Sequence, residues 1–143
     1  MIFYNQVYQY TDKEEKNRIR IIAIDNPIIY FVELHGDTSM PKKNVLSDID
    51  TEVQSGVLIP IPDPFAKSYA DKDLTEKQIQ KRDEDWKIIS EGWDTFKDAL
   101  LNKKERDMIF EQIAYQHNIA KIKVKRIFTR FWQRGLNGVP PAF

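Results

Sequence analysis

Ile59-Pro60-Ile61-Pro62-Asp63-Pro64-Phe65 sets three prolines within five residues. No helix and no central strand runs through such a stretch, because each proline lacks a backbone N–H and holds φ near one value. The chain is divided at this point, and its composition changes there. Short β-branched and aromatic runs come before the prolines, and long helical spacings come after. A chain of 143 residues holds one ordinary domain or two small modules, and the proline break favours two.

The first part predicts a small mixed unit. Residues 18–24, RIRIIAI, alternate at first and then become continuously apolar. Asp25-Asn26-Pro27 is a turn signal, and IIYFVEL over 28–34 is a second β-rich run, so the pair predicts a hairpin. A further strand is expected at Gln6–Tyr10. VLIPI over 57–61 predicts another, placed at a sheet edge by Pro60. Between them, Val45, Leu46, Ile49 and Val53 have helical spacing. Pro41 suits the first turn of such a helix and Gly56 its C-terminal cap. Residues 1–61 therefore predict about four strands and one helix, in a partly open barrel. Residues 62–73 are expected to form a linker.

The second part, 74–135, predicts helices. LTEKQIQKRDEDWKIISEG begins after a possible Thr75 cap and meets a Gly92 stop. Trp93–Leu101 is expected as a short separate helix. Asn102-x-x-Glu105 is an Asn version of the capping box and opens a helix to about His117. The last helix runs from Lys121 to Gly135. Trp86 and Trp93 read as core anchors. Residues 136–143 are Gly- and Pro-rich and read as the start of a linker, which makes the chain a fragment by expectation.

Net charge hides a partition. The 22 basic and 22 acidic residues balance. Residues 102–143, however, hold nine basic and three acidic residues, a net of +6. Residues 1–101 hold the other thirteen basic and nineteen acidic residues, a net of −6. The stretch 118–135, NIAKIKVKRIFTRFWQRG, has six Lys or Arg and no acid. Such asymmetry points to an anionic partner for the basic end.

On a wheel of 100° per residue, Val124, Ile127, Phe128 and Phe131 share one face and must pack on something. Ile122, Arg126, Thr129 and Gln133 point the other way, flanked by Lys123, Lys125 and Arg130. Trp132 borders the apolar face and is assigned to packing. Asn118-Ile119-Ala120 alone separates this helix from the one before, the plan of a helix-turn-helix. Ile119 would plug the angle between the helices, and small Ala114 would let them approach. The second helix of such a unit enters the DNA major groove, its N-terminal residues nearest the bases. Lys121, Lys123, Lys125 and Arg130 are then candidates for phosphates. Ile122, Arg126 and Thr129 are candidates for bases, with Gln133 also able to read them. Arg134 is a candidate to grip the backbone at the helix end. Ala120 departs from the usual pattern, since it cannot cap the helix with a side-chain oxygen.

Other chemistry is weakly signalled. There is no cysteine, hence no disulfide and no thiolate metal site. His35 and His117 are assigned to a strand end and a helix C-terminus rather than to metal. No nucleophile elbow or Gly-rich phosphate loop occurs. No cofactor and no small-molecule substrate are expected. No run reaches membrane-spanning length and the N-terminus is not a secretory signal, so a cytoplasmic location is expected.

The residues also carry a resemblance. Lys81-Arg82-Asp83-Glu84-Asp85-Trp86, Ala114-x-x-His117-x-Ile119 and Val124-x-x-Ile127-x-x-Arg130-Phe131-Trp132-Gln133-Arg134-Gly135 are similar to the N-terminal region of TnsB-type transposases. These are DDE-family recombinases related to the phage Mu transposase. Ser55-Gly56-Val57-Leu58 and the Asp63–Phe65 turn extend the likeness into the first part. The resemblance implies a DNA-binding region that recognises transposon ends, in a bacterial, nucleoid-associated protein. It also implies that the catalytic carboxylates lie further C-terminal, so no catalytic residue is assigned and no enzyme activity is expected of this chain. Other transposition proteins are further candidate partners, through the acidic N-terminal unit. Two other readings stay open: a protein-interaction module docking the basic helix on an acidic partner, and a transcription regulator. The expected fold class is α+β: a small β-rich, barrel-like module with one helix, then an all-α helix-turn-helix module.

Overall fold

The computed structural model describes residues 2–12, 17–65 and 74–135. Most of the expected linker over 62–73, and the whole of 136–143, lie outside the described residues. The chain divides into two compact units, Met1–Ala66 and Lys67–Phe143.

The first unit is a five-stranded antiparallel sheet with one helix. Its strands are β1 (Val7–Tyr10), β2 (Arg18–Asp25), β3 (Ile28–Glu33), β4 (Lys42–Val45) and β5 (Leu58–Pro60), and its helix is α1 (Leu46–Gln54). The sheet order is β4-β3-β2-β1-β5, so Pro60 does sit on an edge strand. One strand was not legible beforehand. Lys42–Val45 was expected as the start of a helix, yet it pairs with β3, Ile28 opposite Val45. Its lysines are exposed. Lysine on an open edge discourages further strand pairing, and it also erases the apolar alternation by which a strand is recognised. The helix starts only at Leu46, whose N–H donates to the Pro27 carbonyl at 2.8 Å. It ends where expected, at a Gly56 with φ +82°, a conformation that glycine adopts without Cβ strain.

β2 explains its own pattern. Its pairing with β3 shifts register between Ile21 and Ala23, so Ile22 sits at a bulge. A bulge breaks the two-residue period, and Ile21 and Ile22 are both fully buried. Ile19 and Ile21 join Tyr8, Ile29, Ile49 and Leu58 in one core. On the other side, Val7, Arg20 and Val32 are paired across three strands and are also buried. The sheet thus has two covered faces. The charge of Arg20 is met there by Asp63, at 2.8 and 2.9 Å in a two-pronged ion pair, and by the Asn5 carbonyl at 2.8 Å. Asp63 belongs to the proline stretch, so this pair ties the end of the unit back to its centre.

The second unit has three helices: α2 (Glu76–Leu101), α3 (Lys103–His117) and α4 (Lys121–Arg134). Thr75 caps α2 as expected, in a full capping box with Gln78. The expected stop at Gly92 is overturned, because α2 continues to Leu101 with a kink at Phe96 (φ −120°, ψ 22°). Gly92 is buried in mid-helix for a packing reason. A Cβ there would lie 2.8 Å from Phe128 Cζ and 3.1 Å from Ile113 Cδ1. Asn102 opens α3 by accepting from the Lys104 N–H at 2.9 Å. The core is largely aromatic. Trp93 meets Phe131 and Trp132, Phe128 meets Trp132 and Phe110, and Trp86 reaches Phe131, with centroids 5.5–6.2 Å apart. Trp132, assigned to packing, is fully buried.

Candidate nucleic-acid interface

α3 and α4 are joined as the sequence predicts. Asn118 adopts the left-handed conformation (φ 52°, ψ 49°), which a short polar side chain tolerates better than a branched one. The Ile119 N–H turns back to the Ala114 carbonyl at 3.1 Å. Ile119 is half-buried and Ala114 buried. Ala120 stands in the N-cap position with no side-chain hydrogen bond.

The structure sorts the nine candidate residues of α4 into three groups. Ile122, Lys123 and Arg126 are exposed, all in the N-terminal half of the helix. They form one surface, spaced i, i+1 and i+4. Lys121, Lys125, Arg130 and Arg134 are half-buried. Burial lowers the pKa of Arg134, with the positive charge of Arg130 adding to the effect. Thr129 and Gln133, placed on the outward face by the wheel, are buried at 0% and 7% exposure. A wheel assigns one covered stripe. From Ile127 to Gln133, however, every residue except Arg130 is buried. Phe128, Phe131 and Trp132 in this half meet aromatic rings of α2 and α3, and Thr129 and Gln133 do not belong to the accessible surface.

Several cations have partners that lie far away in sequence. Lys121 Nζ is 2.6 Å from Asp107 Oδ1 and 3.3 Å from Glu111 Oε1, and Lys125 Nζ is 3.8 Å from the same Asp107 oxygen. The hydrogen bond from Lys121 holds the Asp107 carboxyl below its ordinary pKa, and the same bond raises that of Lys121. Arg130 lies 3.3 Å from Asp85 Oδ2, which Lys81 also approaches at 2.9 Å. Asp85 is therefore an ion-pair partner between helices. Arg106, counted among the nine basic residues, is buried. Its Nε donates to the Leu100 carbonyl at 2.7 Å, satisfying an orphan acceptor at the end of α2. Burial lowers its pKa. Apart from the i, i+4 pair of Lys81 with Asp85, these pairings have no signature in local spacing, since each joins one helix to another. The fully exposed part of the basic helix is smaller than the charge count suggests, and it is concentrated at the start of α4.

Among the described residues, no helix is long and apolar enough to cross a membrane, and no group of three or more His, Asp or Glu is placed to hold a metal ion.

The comparisons with known proteins follow the division into units. Residues 1–64 match the family model of the TnsB N-terminal SH3-like domain, and residues 82–138 match that of the TnsB second domain. The chain is 27% identical over 127 residues to the transposon Tn7 transposition protein TnsB of Escherichia coli. That alignment covers 81% of this chain and 16% of the relative's length. The sheet with one helix fits the SH3-like description, and the helices that follow fall where the second-domain match lies. With both units matched in order, the chain belongs to the TnsB family, corresponding to its N-terminal region.

Proposed function

We propose that this chain is the part of a TnsB-type transposase that recognises transposon-end DNA. The α3–α4 pair acts as a helix-turn-helix, and α4, residues 121–134, enters the major groove. The observation that carries this reading is the surface of Ile122, Lys123 and Arg126 at the start of α4, with the rest of the helix locked into an aromatic core. A recognition helix needs this division: one end exposed toward base edges and the other seated in the core. Arg126 is assigned to a base edge, where guanidinium is the common partner of guanine. Ile122 offers an apolar contact of the kind made to a thymine methyl, and Lys123 is assigned to phosphate. Lys121, Lys125, Arg130 and Arg134 lie around that surface as further candidates for phosphate. The reading uses no cofactor, and it places strand cutting and joining in a part of the protein beyond this chain.

Fluorescence anisotropy with a labelled transposon-end duplex and a scrambled duplex, at low and moderate salt, tests it. Preference for the end duplex, with affinity falling steeply as salt rises, is the expected result. Failure to bind either duplex would overturn the reading and favour docking of the basic helix on an acidic protein.

A further inference from the structure

Asp107 stands on α3 but belongs electrostatically to α4. Its Oδ1 lies 2.6 Å from Lys121 Nζ and 3.8 Å from Lys125 Nζ, so one carboxylate faces two of the six cations in the basic stretch. Glu111, one turn further along α3, adds a second contact to Lys121 at 3.3 Å. The two acids are well exposed, while the lysines are about two-thirds covered. Together they supply two of the three acids in residues 102–143, and both are spent on the first turns of the proposed recognition helix.

Resting on the DNA-binding reading above, we infer that Asp107 is a specificity-determining residue, one that withholds Lys121 and Lys125 from non-specific phosphate contact. Non-specific binding comes almost wholly from cations that neutralise phosphates and release counterions. In such complexes the protein is free to reorient, and any loose cation adds a contact. In the sequence-specific complex, base contacts fix the register, so phosphate contacts by Lys121 and Lys125 add proportionately less there. A carboxylate at this place therefore lowers the background more than it lowers the specific complex. Exposed ion pairs are individually weak, so the restraint is a bias and not a lock. Removing a carboxylate also removes its direct repulsion of the DNA backbone, which acts in the same direction.

The test is Asp107→Asn in the intact chain, with circular dichroism to show unchanged helix content, titrated against the end duplex and the scrambled duplex over a salt series. Affinity for the scrambled duplex is expected to rise by about five- to tenfold at low salt. Its log–log salt slope should steepen by about one to two, since each added phosphate contact contributes roughly 0.9. The end duplex should change by less than about twofold, so the ratio of the two affinities falls. Glu111→Gln should give a smaller change in the same direction, because it meets Lys121 alone. Adding Lys121→Ala and Lys125→Ala to Asp107→Asn should remove most of the gain. An unchanged slope and unchanged scrambled affinity would overturn the inference. So would weaker binding to both duplexes, which would make Asp107 a residue that positions the lysines for DNA. If the wild-type chain bound neither duplex, the DNA reading itself would fall and this inference with it, an outcome visible before any variant is compared.

Discussion

Arg126 and Asp63 show how differently two charged residues act once their surroundings are known. Arg126 is exposed in the N-terminal half of α4. Arg126→Ala should weaken binding to the transposon-end duplex by about 1–3 kcal/mol and relax preference at one base position. Anisotropy against single-base variants of the duplex would show this, and unchanged affinity with unchanged preference would remove Arg126 from the interface. Asp63 is structural. Partial burial by itself would raise its pKa, but hydrogen bonds from the Arg20 guanidinium and the Phe65 N–H, together with the charge of Arg20, outweigh burial and lower it. A carboxyl with a lowered folded-state pKa adds stability above its unfolded value, near 3.9 for Asp, and loses it as pH falls through the folded value. Asp63→Asn should cost the first unit on the order of 3 kcal/mol at neutral pH, because the buried guanidinium loses its counter-charge. It should also flatten the decline in stability below about pH 4. Urea unfolding at pH 7 and pH 3, followed by far-UV circular dichroism, measures both effects.

Helices and strands add constraints that no residue carries alone. Gly92 looks like a terminator in the sequence, and at the level of helix packing it is a point of close approach. Phe128, whose ring a Cβ would meet, is fully buried and bounded by Phe110 and Trp132, so it has little room to move aside. Gly92→Ala should therefore destabilise the second unit by about 1–3 kcal/mol through overpacking, against a gain of about 1 kcal/mol from helix propensity. A lower urea midpoint in tryptophan fluorescence is the expected net result. A rise in midpoint would mean that α2 and α4 accommodate the methyl group by a small shift. β4 shows the opposite case, an element present without a local signature. Its charged residues suit an open sheet edge, and its strand state comes from pairing with β3.

At the scale of the whole molecule, charge and core are both partitioned. All three tryptophans, Trp86, Trp93 and Trp132, lie in the second unit, and each unit has its own buried cluster. Tryptophan fluorescence therefore reports the helical unit, and sheet-sensitive circular dichroism the first. Asp63→Asn is expected to shift the sheet signal while leaving the midpoint of the fluorescence transition within about 0.5 kcal/mol of wild type, as sites that share no partners usually act independently. A matching shift in both signals would show the two cores to be energetically coupled. The same partition lets a chain of zero net charge offer a basic surface, since field strength near DNA depends on local charge and not on the sum.

The amino-acid sequence by itself determined the change from β-rich to helical character, the α+β class, the Thr75 and Asn102 caps, the turn at 118–120, and the apolar stripe of α4. It also carried the TnsB likeness, in the motifs after residue 80. These features are local: capping and a 3.6-residue period act over a few residues, so they can be seen in a few residues. Tertiary structure alone decided that Lys42–Val45 is a strand, that α2 passes through Gly92, and that Thr129 and Gln133 are buried. It also decided that Asp107, Glu111 and Asp85 hold cations of α4. Each of these depends on which surfaces meet across tens of residues, and burial and ion pairing are properties of that meeting. The basic stretch could thus be recognised in the sequence, while which of its side chains stay exposed became visible only when the other helices had packed around them.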